Sequence, residues 1–262
     1  SMIDLIGNTP LIKLKYPSEL TGCNIYGKAE FMNPGGSVKD RAALGIIQNA
    51  EEKKLIEPGG TVVEGTFGNT GIALTMINNA RGYKTIIVMP DAASLEKRDI
   101  LRNLGAELRI VEVKPYKDPG NYQHISRRLA EELQAKGEGS VIWANQFDNT
   151  ANYQFHAKTT AREIYNQLDG KVDGFTCAIG TGGTLAGTSV GLKELNPDIK
   201  IACTDPQGAT MYRYFKDSVL EVTGDPSETE GIGQARVTKN VEACLIDMAY
   251  HISDKEAFEL LY

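Results

Sequence analysis

Cysteine, histidine and tryptophan are scarce in this chain, numbering four, three and one among 262 residues. The cysteines (Cys23, Cys177, Cys203, Cys244) stand far apart without paired spacing. That speaks against a disulfide framework and for reduced thiols in a cytoplasmic protein. The histidines (His124, His156, His251) show no metal-ligand spacing, so no metal site is expected. No apolar run approaches the ~18 residues that span a bilayer. Ser1-Met2-Ile3-Asp4 lacks the charged and apolar regions of a signal peptide, and Ser1 before Met2 reads as a remnant of cloning. Positive charge is also short, with 28 Lys and Arg against 34 Asp and Glu and a net charge of −6. This argues against nucleic acid or an anionic membrane as the main partner. A bound phosphate would have to be held by local backbone amides.

What the chain does have is alternation. Helical apolar spacing recurs over 42–55, 69–80, 122–136, 150–168 and 184–195. Another helix is expected after Ser94, with Gly105 past its end. Strand-like runs cover 61–64, 84–89, 107–113, 140–144, 172–179, 199–204 and 248–252. The order predicts an α/β fold of mainly parallel sheets flanked by helices. Residues 206–240 read as irregular. Ser253 caps a last helix whose Phe258, Leu260 and Leu261 meet no stop signal, so the natural protein is expected to continue.

Three glycine-bearing turns precede helical stretches: Asn33-Pro34-Gly35-Gly36-Ser37-Val38-Lys39-Asp40-Arg41, Thr66-Phe67-Gly68-Asn69-Thr70-Gly71 and Gly180-Thr181-Gly182-Gly183-Thr184. Helix starts carry free N–H groups and partial positive charge, and so bind anions. In the first turn Ser37 suits the N-cap and puts Lys39 in the opening helical turn. The helix dipole and burial would both favour its neutral amine there, the form imine chemistry needs. The bland alternative is a solvated lysine beside Asp40 and Arg41. The middle turn offers hydroxyls, an amide and N–H groups to a carboxylate, or is an ordinary capped turn. The third is the better phosphate cradle. Gly180-Thr181-Gly182 also opens a dinucleotide fingerprint with Asp205 at the end of the next strand, but Leu185 stands where its third glycine belongs.

Together these residues resemble the pyridoxal-phosphate enzymes of fold type II, and within them the cysteine synthase and cystathionine β-synthase family. The resemblance runs from Ile6-Gly7-Asn8-Thr9-Pro10-Leu11 through the three turns. It includes Ala144-Asn145-Gln146-Phe147 with Asn152, and Glu230-Gly231-Ile232-Gly233. It implies pyridoxal 5'-phosphate held by Lys39, with Asn69 on the ring hydroxyl and Gly180, Thr181, Gly182, Gly183 and Thr184 on the phosphate. It implies that Thr66, Gly68, Asn69 and Thr70 grip the substrate carboxylate with help from Gln146. Gly231 would lie in a mobile stretch near the site mouth. The implied reaction makes L-cysteine and acetate from O-acetyl-L-serine and sulfide through an aminoacrylate, with Lys39 as the base. The implied architecture has two domains, a small mobile one over 38–147 and a large cofactor-binding one over 1–37 and 148–262. A homodimer and docking of a serine acetyltransferase are further family properties.

Two departures bear on this. Phe67 stands where the family usually has a small residue, which opens a cystathionine β-synthase or another thiol acceptor, or a non-catalytic relative that binds a ligand or partner. The family also continues beyond position 262, with the serine that faces the pyridine nitrogen, so no residue here takes that role. A nicotinamide oxidoreductase is a further alternative that would leave Lys39 without a task.

Overall fold

Two parallel sheets organise the fold, one in each of the two units into which the chain divides, Ser1–Gln146 and Phe147–Tyr262. The computed structural model describes residues 1–137 and 139–261. The first unit opens with β1 (Leu11–Lys13), α1 (Lys15–Thr21) and β2 (Tyr26–Lys28), β1 and β2 pairing antiparallel. There follow α2 (Lys39–Glu52), β3 (Thr61–Gly65), α3 (Asn69–Arg81), β4 (Lys84–Pro90), α4 (Leu95–Asn103), β5 (Glu107–Val111), α5 (Tyr122–Lys136) and β6 (Val141–Trp143). Its sheet has the order β5-β4-β3-β6, every pair parallel. β4 is a buried, mostly apolar run, and β3 is buried from Val62 to Gly65 with one carboxyl, Glu64, among its residues.

The second unit holds α6 (Ala151–Lys158), α7 (Thr160–Gln167), β7 (Gly174–Cys177), α8 (Gly183–Leu195), β8 (Lys200–Pro206), α9 (Met211–Asp217), β9 (Met248–Ile252) and α10 (Asp254–Leu261). Its sheet has the order β7-β8-β9, again parallel. Leu185, Leu192, Ile179, Ile201, Met211 and Val241 form the centre of its core. Leu185, which breaks the dinucleotide fingerprint, is fully buried there. A core packed to crystal-like density leaves that position to volume and not to a ligand.

Two expectations are corrected. The helix expected over 150–168 is two helices, broken at Thr159 (φ −118°, ψ −74°). The Thr159 hydroxyl donates to the Phe155 carbonyl at 2.7 Å, the i−4 back-bond that bends helices. The stretch 206–240 contains α9, whose Tyr212 N–H is capped from a distance by the Asp205 carboxylate at 2.8 Å. A cap supplied by the preceding strand leaves no local signature. The strand expected over 172–179 is shorter, Gly174–Cys177, and Ser94 caps α4 as expected, accepting from the Lys97 N–H.

Leu185→Ala is expected to lower the unfolding free energy of the second unit by about 2–5 kcal/mol, measured by urea titration.

Candidate active site

The lysine turn is built on a buried charge. Lys39 is the first residue of α2 and is half-buried. Val38, already helical (φ −60°, ψ −18°), takes the cap position expected for Ser37. The Ser37 hydroxyl still serves the turn by accepting the Lys39 N–H at 3.2 Å. Asp40 and Arg41 are both fully buried. Arg41 grips Glu30 at two points, Nε to Oε2 at 2.7 Å and Nη2 to Oε1 at 2.9 Å. The Thr9 hydroxyl donates to Glu30 Oε1 at 2.7 Å and accepts from Arg41 Nη2 at 3.1 Å. Asn33 Nδ2 donates to Glu30 Oε2, and Asn33 Oδ1 accepts the Gly7 N–H, both at 2.9 Å. Burial alone would raise Glu30, but the Arg41 guanidinium, with Thr9 and Asn33, holds its carboxyl below the usual range. Asp40 Oδ2 accepts the Gly35 N–H at 2.5 Å, while burial and the Glu30 charge push its carboxyl up to about 6.

The middle turn sits at the carboxyl end of β3, where ligands of parallel sheets bind. β6 pairs with β3 in register (Val63 with Trp143), and the Ala144 N–H donates to the Val63 carbonyl at 2.9 Å. The residues after β6 therefore emerge beside those after β3. Asn145 turns the chain at φ +50°, a left-handed conformation that asparagine tolerates. Gln146 follows, buried, accepting from the Thr70 hydroxyl at 2.5 Å and donating Nε2 to the Gly65 carbonyl at 3.3 Å. Residues 76 positions apart are thus joined at one loop. The Thr66 hydroxyl accepts the Gly68 N–H at 3.1 Å, and Asn69 and Thr70 open α3. Phe67 points away from this cradle. Its ring meets Tyr122 edge-on at 5.4 Å and packs against the cluster of Ile72, Ile87, Met89 and Leu101.

The third turn sits at the carboxyl side of β7. Gly182 caps α8 with φ +92°, and no acidic residue lies in the first turn. A Cβ at Gly183 would collide with the Asn152 amide, and one at Gly180 would lie 2.6 Å from the Gly231 carbonyl. The glycines therefore admit neighbouring groups from within the same unit. Asn152 Nδ2 donates to Thr181 Oγ1 at 3.1 Å, and Thr184 Oγ1 lies 3.4 Å from His156 Nε2. Gly231 is brought beside this turn as well. The Gly233 N–H donates to the Ile179 carbonyl and Gln234 Nε2 to the Gly180 carbonyl, each at 2.8 Å. The Thr238 hydroxyl donates to the Thr181 carbonyl at 2.7 Å. Farther along, Arg236 pairs with Asp148 through two 3.0 Å contacts and lies over the Phe147 ring. Gln234, Arg236, Thr238 and Asp148 were missed from sequence. Their one signal was the neighbouring Gly231-Ile232-Gly233.

Taken unit by unit, these residues suit separate parts of pyridoxal phosphate. Lys39 supplies a primary amine for the aldehyde. The turn before α8 supplies helix-start amides and threonine hydroxyls without a competing carboxylate, the donor set an anionic phosphate needs. A family model described as "Pyridoxal-phosphate dependent enzyme" matches residues 2–261.

This chain belongs to the pyridoxal-phosphate dependent enzyme family.

Cysteine synthase 1 of Neurospora crassa is 51% identical over 262 residues, covering 98% of this chain and 68% of that protein. Cysteine synthase 1 of Emericella nidulans is 48% identical over 266 residues, covering 100% of this chain and 70% of that one. Among solved structures, an O-ureido-L-serine synthase superposes with a TM-score of 0.86 at 34% identity, over 99% of this chain and 77% of that chain. The fold type II architecture of parallel sheets flanked by helices is borne out.

Arg41→Ala strands Glu30 and is expected to lower unfolding free energy by about 3 kcal/mol or more, read by urea titration. Asp40 gives a pH signature. Its folded pKa is raised, so its contribution is complete below pH 3.8 and is lost as pH rises towards about 6. Wild type should lose stability across that window relative to Asp40→Asn, by an amount on the order of 2 kcal/mol, in paired unfolding curves.

Proposed function

We propose that the protein makes L-cysteine from O-acetyl-L-serine and sulfide. The Cβ–O bond to acetate breaks, a Cβ–S bond forms, and acetate leaves. Likeness to cysteine synthases over nearly the whole of this chain and about two-thirds of theirs carries this reading, supported by a lysine turn and a polar turn before α3 folded into the same unit.

Pyridoxal phosphate, when bound, supplies the electron sink that lets the substrate's Cα lose a proton. The residues do the rest. Lys39 Nζ is the attachment point, and its lone pair takes the Cα proton. Asn69 donates to the ring hydroxyl. Gly180, Thr181, Gly182, Gly183 and Thr184 hold the phosphate through helix-start amides and hydroxyls. Thr66, Gly68, Asn69, Thr70 and Gln146 bind the α-carboxylate and so fix the Cα–H bond relative to Lys39. Gly231, exposed beside the phosphate turn, belongs to the mouth of the site. Phe67 had opened the choice of a bulkier thiol acceptor. With its ring on Tyr122 it adds nothing to the cradle, and sulfide is the acceptor proposed.

The division into a small mobile domain over 38–147 and a large domain over 1–37 and 148–262 belongs to this proposal. So do a homodimer, docking of a serine acetyltransferase at the site mouth and a cytoplasmic location. The location rests on four free cysteines among the described residues, two of them, Cys203 and Cys244, with thiols that burial raises.

The test is a spectral titration with O-acetylserine alongside Lys39→Ala. The variant should lose the visible absorption of lysine-bound cofactor, and its cysteine formation should fall by about a thousandfold or more. Undiminished absorption and turnover in the variant would overturn the assignment of Lys39.

A further inference from the structure

Glu64 is a fully buried carboxyl on the last turn of chain before the middle loop, at the penultimate position of β3. The Gln146 side chain and the backbone N–H groups of Gln146, Asn145 and Gly65 face it, and each favours its charged form against the larger effect of burial. Its Oε2 has no partner among the described residues. No ion pair accompanies it among those residues, and burial pushes it up to about 8, so the uncharged acid is the form at neutral pH. A buried carboxyl that answers no opposite charge and caps no helix is an expensive choice for a strand interior.

Its neighbours show what it does. Gln146 has a carbonyl oxygen and an amide nitrogen that differ only in hydrogen-bond polarity. Oε1 accepts from the Thr70 hydroxyl at 2.5 Å, and Nε2 faces the Gly65 carbonyl at 3.3 Å and the Glu64 carboxyl. Exchanging the two ends would set Oε1 against the Gly65 carbonyl, which cannot donate. With Nε2 so directed, the carbonyl oxygen of the Glu64 acid accepts from it and secures a chain running from Thr70 through Gln146 to β3. The floor beneath is rigid as well, since a Cβ at Gly65 would lie 2.8 Å from both Ser126 Oγ and the Tyr122 carbonyl.

We propose that Glu64 is a positioning residue for the substrate carboxylate, acting through the amide of Gln146 to hold Thr70 and Gln146 in the geometry that the carboxylate meets. This rests on the reading of residues 66–70 and Gln146 as the carboxylate clasp. A preset amide means that less ordering accompanies binding, so the effect falls on substrate affinity and not on proton transfer at Lys39.

The experiment uses holoenzyme and steady-state kinetics with O-acetylserine as the varied substrate. Glu64→Met removes the acceptor, and KM should rise about tenfold with kcat within about twofold and the lysine-bound cofactor absorption unchanged. Glu64→Gln restores an acceptor facing Gln146, with its amino group on the side where Oε2 had no partner, and should bring KM back to within about threefold of wild type. In a Gln146→Ala background, Glu64→Met should add no further rise, because the two act along one chain. An unchanged KM in Glu64→Met overturns the proposal. So does a parallel loss of cofactor and kcat in both Glu64 variants, or their failure to fold, since each assigns Glu64 to the scaffold alone. Thr70→Val and Gln146→Ala separate the two readings. If they raise KM and Glu64→Met does not, only the role of Glu64 fails. If they leave KM unchanged, the clasp itself is misassigned.

Discussion

Arg41 and Glu30 are taken out of water together, and the position of Lys39 at the start of α2 follows from how that is made tolerable. An isolated buried guanidinium would cost far more than a domain's whole stability. The two-point contact with Glu30 meets most of that demand, and the hydroxyl of Thr9 and the amide of Asn33 use the remaining lone pairs. Three stretches of sequence (residues 7–9, residue 30 and residues 33–41) are thereby tied to one centre. Lys39 lies two residues from the guanidinium on the same helix start. Its backbone is anchored by the charge-assisted bonds that hold the helix start.

The same economy recurs at the two parallel sheets. In each unit a strand ends, a short glycine-bearing turn follows, and a helix begins. Exposed amides at the helix start create the capacity to hold an anion. What distinguishes the two turns is their support. The turn before α3 is braced by Gln146 from the neighbouring strand's exit. The turn before α8 is braced by Asn152 and by the segment from Gly231 to Thr238.

Much of this was legible in the residues. The helices expected from 69 and 184, the strands expected over 84–89 and 199–204, each within two residues of the observed bounds, and the capping role of Ser94 follow from periodicity and cap chemistry, which are local. Gln146 was named by resemblance, but its bond to Thr70 depends on a strand register that no local pattern specifies. α9 escaped because its cap comes from Asp205 across a turn. The break at Thr159 escaped because a threonine pair is compatible with helical periodicity until its hydroxyl competes for the backbone. Glu64, Gln234 and Arg236 escaped because a polar residue's purpose is set by what burial places around it.

Phe67 carries a consequence for how variation in this chain should be interpreted. It sits between residues proposed to bind the substrate carboxylate, yet its ring is owned by the hydrophobic interior. In a comprehensive substitution survey its losses would track protein abundance, while those at its immediate neighbours would track turnover. Adjacent columns of such a map would report different quantities, and a loop average would conceal both.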